Sequence, residues 1–254
     1  MNGNPARARM NIKARFPVAS GGALPLQKGM GSQFDLVILD CDGVLIDSEI
    51  ISLSMLIAEL GARGVQVDLD YVSRNFLGRS YPTVMQAIRD AFGLDLPPEF
   101  ETQYRDRLLA AFETDLKVMP GVRGALDGLA LPRCVATSSS PKRAEHSLRL
   151  TGLDDLVGPR LFTASMVARG KPAPDLFLHA AAACGADPAR CLVIEDSLTG
   201  IRAGLAAGMT VWRFTGGSHM AGRQLSQPED ATPHLVFNDF STFLDLHPDF
   251  KGQP

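Results

Sequence analysis

The sequence lacks the features of a membrane protein and of a nucleic-acid-binding protein. None of its apolar runs approaches the roughly 18 residues that a membrane-spanning helix needs. The formal net charge of the 254 residues is −3, so there is no basic surface to attract nucleic acid. Cysteine is scarce and has no metal-site spacing, which favours reduced thiols in a cytoplasmic protein. The four cysteines are Cys41, Cys134, Cys184 and Cys191.

Acidic residues are absent from the first 33 positions, which carry several basic residues together with Gly, Pro and Asn. This segment also lacks the continuous apolar stretch of a secretory signal. An acid-free, arginine-bearing start is also typical of organelle transit peptides, although serine is scarce here. We expect residues 1–33 to form a disordered N-terminal tail, or translation to begin at Met30.

The most informative stretch that is present begins at Phe34. A short apolar run ends at Leu39 and is followed by Asp40, Cys41, Asp42 and Gly43. Such a run is typical of a buried parallel strand, and open α/β sheets place their chemistry at the carboxyl ends of these strands. Two neighbouring carboxylates repel each other unless a cation lies between them, so the pair indicates Mg²⁺. An acidic turn is the alternative interpretation.

Three further segments repeat the pattern of polar residues after an apolar run. Thr137, Ser138 and Ser139 follow one run and could cradle a phosphate at a helix entrance, or could simply cap that helix. Lys171 lies on a proline-rich loop that holds it just before a helix. Another run ends in Glu195 and Asp196, a second acid pair that favours a shared metal site over helix capping.

In combination and order, these four segments resemble the haloacid dehalogenase-like hydrolase superfamily, and within it the sugar-phosphate phosphatase and β-phosphoglucomutase-like branch. The resemblance spans roughly residues 34–212. It implies that Asp40 is the nucleophile that takes the phosphoryl group and that Asp42 is the general acid/base. We expect the neighbouring carboxylate to raise the pKa of Asp42. The superfamily's dehalogenases lack the second aspartate, so the presence of Asp42 argues against dehalogenation.

The same resemblance implies roles for the other motif residues. Thr137 and Ser138 would hold the phosphoryl oxygens, with Ser139 as a further substrate-binding residue. Lys171 would link Asp40 to the phosphate and offset its negative charge. The Mg²⁺ ligands would be Asp40, the backbone carbonyl of Asp42 and Asp196, with Glu195 as a ligand or an outer partner.

The order of strand and helix patterns predicts an α/β fold with a doubly wound parallel sheet and a helical segment inserted after the first strand. The resemblance implies that the sheet is a Rossmann-like hydrolase core and the insertion a small helical cap domain. The core would comprise residues 34–50 and 118–248, and the cap residues 51–117. Within the cap, Arg79 lies in a polar turn and is the candidate for contacting an anionic substrate. Strands are predicted at 35–39, 133–136, 160–163, 191–194, 210–213 and 234–237, and cap helices at 51–60, 82–92 and 98–112.

The sequence thus predicts a Mg²⁺-dependent phosphatase that acts on a small phosphorylated metabolite, a sugar or a sugar-acid phosphate. It leaves the oligomeric state open, with a monomer favoured. Two alternatives remain open. A β-phosphoglucomutase-like mutase would use the same aspartyl-phosphate, although Tyr81 and Pro141 depart from the pattern of those mutases. A non-catalytic metabolite-binding protein would be expected to have lost a motif residue, and none is lost here.

Overall fold

The computed structural model describes residues 32–94, 96–223 and 227–251, so the predicted tail at 1–33 lies almost entirely outside the described residues. The centre of the structure is a sheet of six parallel strands in the order β3-β2-β1-β4-β5-β6. This confirms the predicted doubly wound α/β fold, and the strand bounds agree with the sequence pattern to within one residue. The strands are β1 Leu36–Leu39, β2 Arg133–Thr137, β3 Leu161–Thr163, β4 Cys191–Glu195, β5 Thr210–Phe214 and β6 Leu235–Phe237.

The central strands are buried on both faces, because alternate side chains enter two separate hydrophobic clusters. Val37 and Leu39 of β1 belong to one cluster, whereas Leu36 and Ile38 belong to the other. A strand covered by helices on both faces must be apolar at every position, which explains its uninterrupted apolar sequence. The helices of this part of the fold are α5 Val122–Gly128, α6 Pro141–Leu150, α7 Asp154–Val157, α8 Asp175–Ala183 and α9 Leu198–Ala206.

The first four of the five helices between β1 and β2 share a third hydrophobic cluster, whose buried residues lie within 53–112. We call residues 49–115 the helical insert. Its helices are α1 Glu49–Gly61, α2 Leu69–Phe76, α3 Tyr81–Phe92 and α4 Pro98–Asp115. Helix α2 was not predicted, and the expected polar turn lies between it and α3. No helix in the described ranges is both long and apolar enough to cross a membrane.

The parallel order brings the polar motifs together. Strand β1 pairs with β2 on one side and with β4 on the other, with Leu39 in register with Val135 and Ile194. The residues just beyond these positions therefore emerge at one edge of the sheet. Asp40, Thr137 and Glu195 are all found there.

Candidate active site

A buried lysine joins the motifs at this edge. The Nζ of Lys171 donates hydrogen bonds to Oδ1 of Asp40 (2.6 Å), Oε1 of Glu195 (2.7 Å) and the backbone oxygen of Ala136 (3.0 Å). Its side chain is completely buried, with an exposed fraction of 0%. A charged ammonium is stable in such a place only if its donors are satisfied by negative partners. The loop lysine is thus an internal cation of the site.

The charges around Asp40 are unbalanced. Burial and the nearby carboxylates of Glu195, Asp196 and Asp42 raise the pKa of Asp40 well above its ordinary value, although Lys171 acts in the opposite direction. Burial lowers the pKa of Lys171, but Asp40 and Glu195 outweigh it and leave that pKa raised. One lysine therefore faces more negative charge than it can neutralise, and the site as described calls for additional positive charge.

Asp196 and Glu195 differ in their hydrogen bonding. Oε1 of Glu195 accepts from Lys171, and Oε2 accepts from the backbone N–H and the hydroxyl of Ser197 at the start of α9. In contrast, the buried Oδ2 of Asp196 has no hydrogen-bond partner in the described parts of the chain. Burial and the neighbouring Glu195 raise the pKa of Asp196 well above its ordinary value. Of the two acids, Asp196 is thus the one with an oxygen available to a ligand.

The residues fit the Mg²⁺ ion that the sequence implies. Asp196 supplies a buried carboxylate oxygen with no hydrogen-bond partner among the described residues, and Asp40 supplies a carboxylate whose surroundings Lys171 alone does not neutralise. Hard oxygen ligands are those that Mg²⁺ prefers. Among the described residues no group of three His, Cys, Asp or Glu side chains forms a metal cluster. The implied set does not need one, because it uses two side chains and the backbone carbonyl of Asp42. Glu195, with both oxygens engaged, suits the outer role.

Asp42 has a different environment from Asp40, and the expectation of a raised pKa is wrong. Its Oδ1 accepts from Ser48 (2.6 Å) and from Nη2 of Arg143 (2.7 Å), while its Oδ2 accepts from Ser139 (2.6 Å). Burial favours the neutral carboxyl, but the guanidinium and the hydroxyl hydrogen bonds outweigh it and lower the pKa of Asp42. In this arrangement Asp42 is an ionised carboxylate.

The loop after β2 forms the opposite wall of the site. Thr137 is buried, and its hydroxyl lies 3.4 Å from Oδ2 of Asp42 and accepts from the backbone N–H of Ser139. Ser138 instead directs its hydroxyl to the backbone oxygen of Gly78 in the helical insert, at 2.9 Å. The three predicted phosphate-binding residues are therefore beside Asp42, with the Ser138 side chain bridging to the insert.

A cavity separates this wall from the helical insert. Asp40, Asp42 and Thr137 line it on the sheet side, and Phe76 and Tyr81 on the insert side. Arg79 also lines this cavity, at its rim, and is exposed. Its side chain makes no ion pair with any described residue. The structure thus brings the predicted insert arginine to the cavity that contains the predicted nucleophile.

Three residues of the site were missed or underrated at the sequence level. Arg143 reaches Asp42 from α6, and no local motif marks it. Glu49 lines the cavity, where burial and then the charge of Asp42 raise its pKa to about 8. His219 is buried with Nε2 only 3.1 Å from Oδ2 of Asp196, and burial lowers its pKa. The sole clue in the sequence was that its loop follows β5.

Gly43 shows how closely the site is packed. Its φ is +80°, a conformation that other residues rarely adopt. A β-carbon at this position would also collide with the carboxylate of Asp196. The glycine after the first acid pair is therefore required for β1 to approach the second acid pair.

Comparison with known proteins agrees with this geometry. The family model of haloacid dehalogenase-like hydrolases matches residues 34–208. The chain is 28% identical to the 6-phosphogluconate phosphatase of Escherichia coli (strain K12) over 74% of its own length and 86% of that protein. It is 33% identical to the fructose-1-phosphate phosphatase of the same organism over 68% of its length and 92% of that protein.

Solved structures give the same result. A haloacid dehalogenase-like protein from Agrobacterium tumefaciens superposes with a TM-score of 0.70 at 33% identity, covering 84% of this chain and 97% of the other. A family hydrolase from Deinococcus radiodurans, solved with bound phosphate and sodium, gives a TM-score of 0.67 at 30% identity, with coverages of 87% and 99%.

The chain belongs to the haloacid dehalogenase-like hydrolase family. Its relatives confirm the prediction of a phosphoric monoester hydrolase.

Proposed function

We propose that this chain is a Mg²⁺-dependent phosphatase that hydrolyses a sugar or sugar-acid phosphate through an aspartyl-phosphate on Asp40. The observation that carries the proposal is the fixed position of Asp40 against Lys171, at a sheet edge that also holds Asp196 and the loop of Thr137. Phosphoryl transfer depends on positioning and on charge stabilisation, which such a constellation can supply.

In the first step, a carboxylate oxygen of Asp40 forms a bond to phosphorus while the bond to the leaving oxygen breaks. The leaving oxygen takes a proton from Asp42. Water then forms a new bond to phosphorus and gives a proton back to Asp42, and the bond to Asp40 breaks to release inorganic phosphate. Because Asp42 is an ionised partner of Arg143 as described, it must leave that ion pair and take up a proton before the first step.

The other residues bind and orient the phosphate. Lys171 would offset the charge on Asp40 and on the phosphoryl oxygens, and the hydroxyl of Thr137 with the backbone N–H groups of its loop would hold those oxygens. Asp40, Asp196 and the carbonyl of Asp42 would hold Mg²⁺. When bound, the ion would supply the positive charge that stabilises the transferring group.

The helical insert would act as the cap over the site, as the predicted division at residues 51–117 requires. It has its own hydrophobic cluster and covers the cavity with Phe76, Tyr81 and Arg79. A cap over a phosphoryl-transfer site excludes water other than the reacting molecule. Its side chains can also contact the leaving group and so determine specificity. The relatives named for phosphorylated sugars and sugar acids support this substrate class.

The test is release of inorganic phosphate from a panel of sugar and sugar-acid phosphates, with Mg²⁺ and with EDTA. We expect steady release that requires Mg²⁺ and is not stimulated by a sugar bisphosphate. Phosphorus NMR of β-glucose 1-phosphate separates the mutase alternative. Rapid formation of glucose 6-phosphate with little free phosphate would establish a mutase and overturn the proposal.

A further inference from the structure

Arg143 is the cation of the cavity that the proposed chemistry leaves without a role of its own. It lies on α6, and its Nη2 donates to Oδ1 of Asp42 (2.7 Å) and to the hydroxyl of Ser52 (3.1 Å). The guanidinium lies over the ring of Phe112, 5.2 Å from its centroid. Helix α1, helix α4 and the acid motif therefore fix the guanidinium at the wall of the cavity, with 23% of the side chain exposed.

Other donors near Arg143 have no acceptor. The buried Nε of Arg143 and the buried hydroxyl of Tyr81 make no hydrogen bond within the described residues, and both side chains line the cavity. Arg79 adds an exposed guanidinium at the rim of the same cavity. A buried donor without an acceptor is costly, so this surface is suited to a ligand that carries acceptor oxygens.

The acids of the cavity do not prevent an anion from binding there. Asp42 is held by Nη2 of Arg143 and by two hydroxyl groups, and the Nε of Arg143 has no hydrogen-bond partner within the described residues. Glu49 has a pKa of about 8 and is therefore largely uncharged at neutral pH. The cavity can hence accept a second negative group in addition to the phosphate.

We propose that Arg143 is a specificity-determining residue that binds a carboxylate on the leaving group, so that the preferred substrates are sugar-acid phosphates rather than neutral sugar or sugar-alcohol phosphates. This inference rests on the proposed phosphatase function. A guanidinium binds a planar carboxylate through paired hydrogen bonds, whereas a terminal hydroxyl offers only one neutral acceptor. A site built for a polar group discriminates strongly against an analogue that lacks it.

A matched pair of substrates tests the proposal. 6-Phosphogluconate and sorbitol 6-phosphate have the same six-carbon chain and differ at one end, a carboxylate against a hydroxymethyl group. We expect the wild-type kcat/KM to favour the acid by about tenfold or more, a step of 1.4 kcal/mol. In Arg143→Gln the preference should fall to about twofold, mainly through a higher KM for the acid.

Lys142→Gln is the control, because it removes a positive charge from the adjacent, exposed position on α6 and should keep the wild-type preference. Since Arg143 also contacts Asp42, binding is measured without turnover as well, by calorimetry of Asp40→Asn and of Asp40→Asn/Arg143→Gln with both compounds. The double variant should lose the preference for the acid that the single variant shows. Melting curves establish that each variant is folded.

The proposed role of Arg143 is overturned if the wild-type ratio of kcat/KM for the acid to kcat/KM for the alcohol is near one. It is also overturned if Arg143→Gln retains the wild-type ratio. Hydrolysis of p-nitrophenyl phosphate is followed in parallel, so that the two proposals fail separately. If this general phosphate monoester is hydrolysed while the matched pair is not distinguished, the phosphatase function stands and the carboxylate site does not. If no phosphate monoester is hydrolysed, the proposed function itself fails.

Discussion

At the scale of single residues, Asp40 and Asp42 lie two positions apart and have opposite electrostatic environments. Asp40 faces Lys171 together with three carboxylates, so its charge is under-compensated. Asp42 faces Arg143 and two hydroxyl groups, so its charge is fully compensated. Carboxyl groups with such different surroundings can take different roles in one reaction. A nucleophile that also binds a cation and an acid/base that exchanges a proton are such roles.

The metal assignment can be tested at Asp196. Asp196→Asn keeps the shape of the side chain but removes a charged oxygen ligand, so the Mg²⁺ concentration for half-maximal activity should rise about tenfold or more. Titration of activity and calorimetric titration with Mg²⁺ measure the change. Asp154→Asn, at the exposed start of α7, removes an equal charge outside the site and should behave as wild type. An unchanged Mg²⁺ titration of Asp196→Asn would reject Asp196 as a ligand.

Glu49 links stability to pH. Its pKa is about 8 in the folded protein because of burial and the charge of Asp42, against about 4.3 in an unfolded chain. The contribution of protonated Glu49 to the stability of the folded protein is fully present below the pKa of the unfolded chain. It is lost as the pH rises through about 8. In EDTA, the melting temperature of Glu49→Gln relative to wild type should therefore increase between about pH 5 and about pH 9. The exposed Glu145→Gln is the control, and a difference for Glu49→Gln that does not change with pH would contradict this account.

Arg79 should contribute to binding more than to chemistry. Its guanidinium lies at the cavity rim and makes no ion pair with the described residues, so it is available to an anionic substrate. Such contacts are similar in the ground state and in the transition state, and Arg79→Ala should raise KM about tenfold with little change in kcat. Arg89→Ala removes an exposed arginine of α3 that does not line the cavity, and serves as the control. Equal KM values for Arg79→Ala and wild type would exclude the role.

At the scale of elements, the turn between α2 and α3 brings the helical insert into contact with the sheet edge. Ser138 donates to the backbone oxygen of Gly78, and Thr199 donates to that of Leu77 at 3.4 Å. Gly78 has φ +73°, and a β-carbon there would collide with the side chain of Ser197. The turn can therefore contact the loop after β2 and the start of α9 only with a glycine at this position.

Substitutions at two glycines distinguish the effect of backbone strain from the effect of the close contact between this turn and Ser197. Gly78→Ala and Gly93→Ala both place an alanine at positive φ, which costs about 1 kcal/mol or more. Gly93 has no atom within 4 Å of the added carbon, whereas Gly78 has Ser197 in the way. Both variants should lower the melting temperature, but only Gly78→Ala should lower kcat/KM substantially, by about tenfold. Equal effects of the two variants on kcat/KM would show that the turn does not depend on its approach to the core.

The elements differ in how well the sequence predicts them. The six strands were predicted closely because buried parallel strands are continuous apolar runs that end in turn residues. Helix α2, Leu69–Phe76, was missed although Leu69, Val72 and Phe76 follow the i, i+3, i+7 spacing of an amphipathic helix. Eight residues are a short window for that periodicity, and half of them are polar.

The same contrast holds within the site. The acids, hydroxyl groups and lysine of the motifs follow apolar runs directly, so their position at the sheet edge follows from the strand order alone. Arg143 and His219 reach the site from the first turn of α6 and from a loop after β5, and their placement depends on tertiary packing. The lowering of the pKa of Asp42 could not be predicted either, because it depends chiefly on the charge of Arg143.

At the scale of the whole molecule, the cavity lies between the polar edge of the sheet and the hydrophobic cluster of the helical insert. Two clusters cover the faces of the sheet, and the third holds the helical insert together. Ion pairs between the insert and the rest of the chain include Arg223 with Asp70 and Lys142 with Asp106, in which Asp70, Lys142 and Asp106 are exposed. Ion pairs with exposed partners contribute little free energy, so these two pairs would not oppose movement of the insert.

The central claim is that Asp40 attacks phosphorus in a Mg²⁺-dependent phosphatase. The most direct measurement is release of inorganic phosphate by wild type and by Asp40→Asn, from the best substrate of the panel, in Mg²⁺ and in EDTA. The amide keeps the shape of the carboxylate but is a poor nucleophile and a weaker metal ligand. The account predicts turnover by wild type in Mg²⁺ alone and none by Asp40→Asn in either condition. Activity of Asp40→Asn within about tenfold of wild type, or undiminished wild-type activity in EDTA, would contradict it.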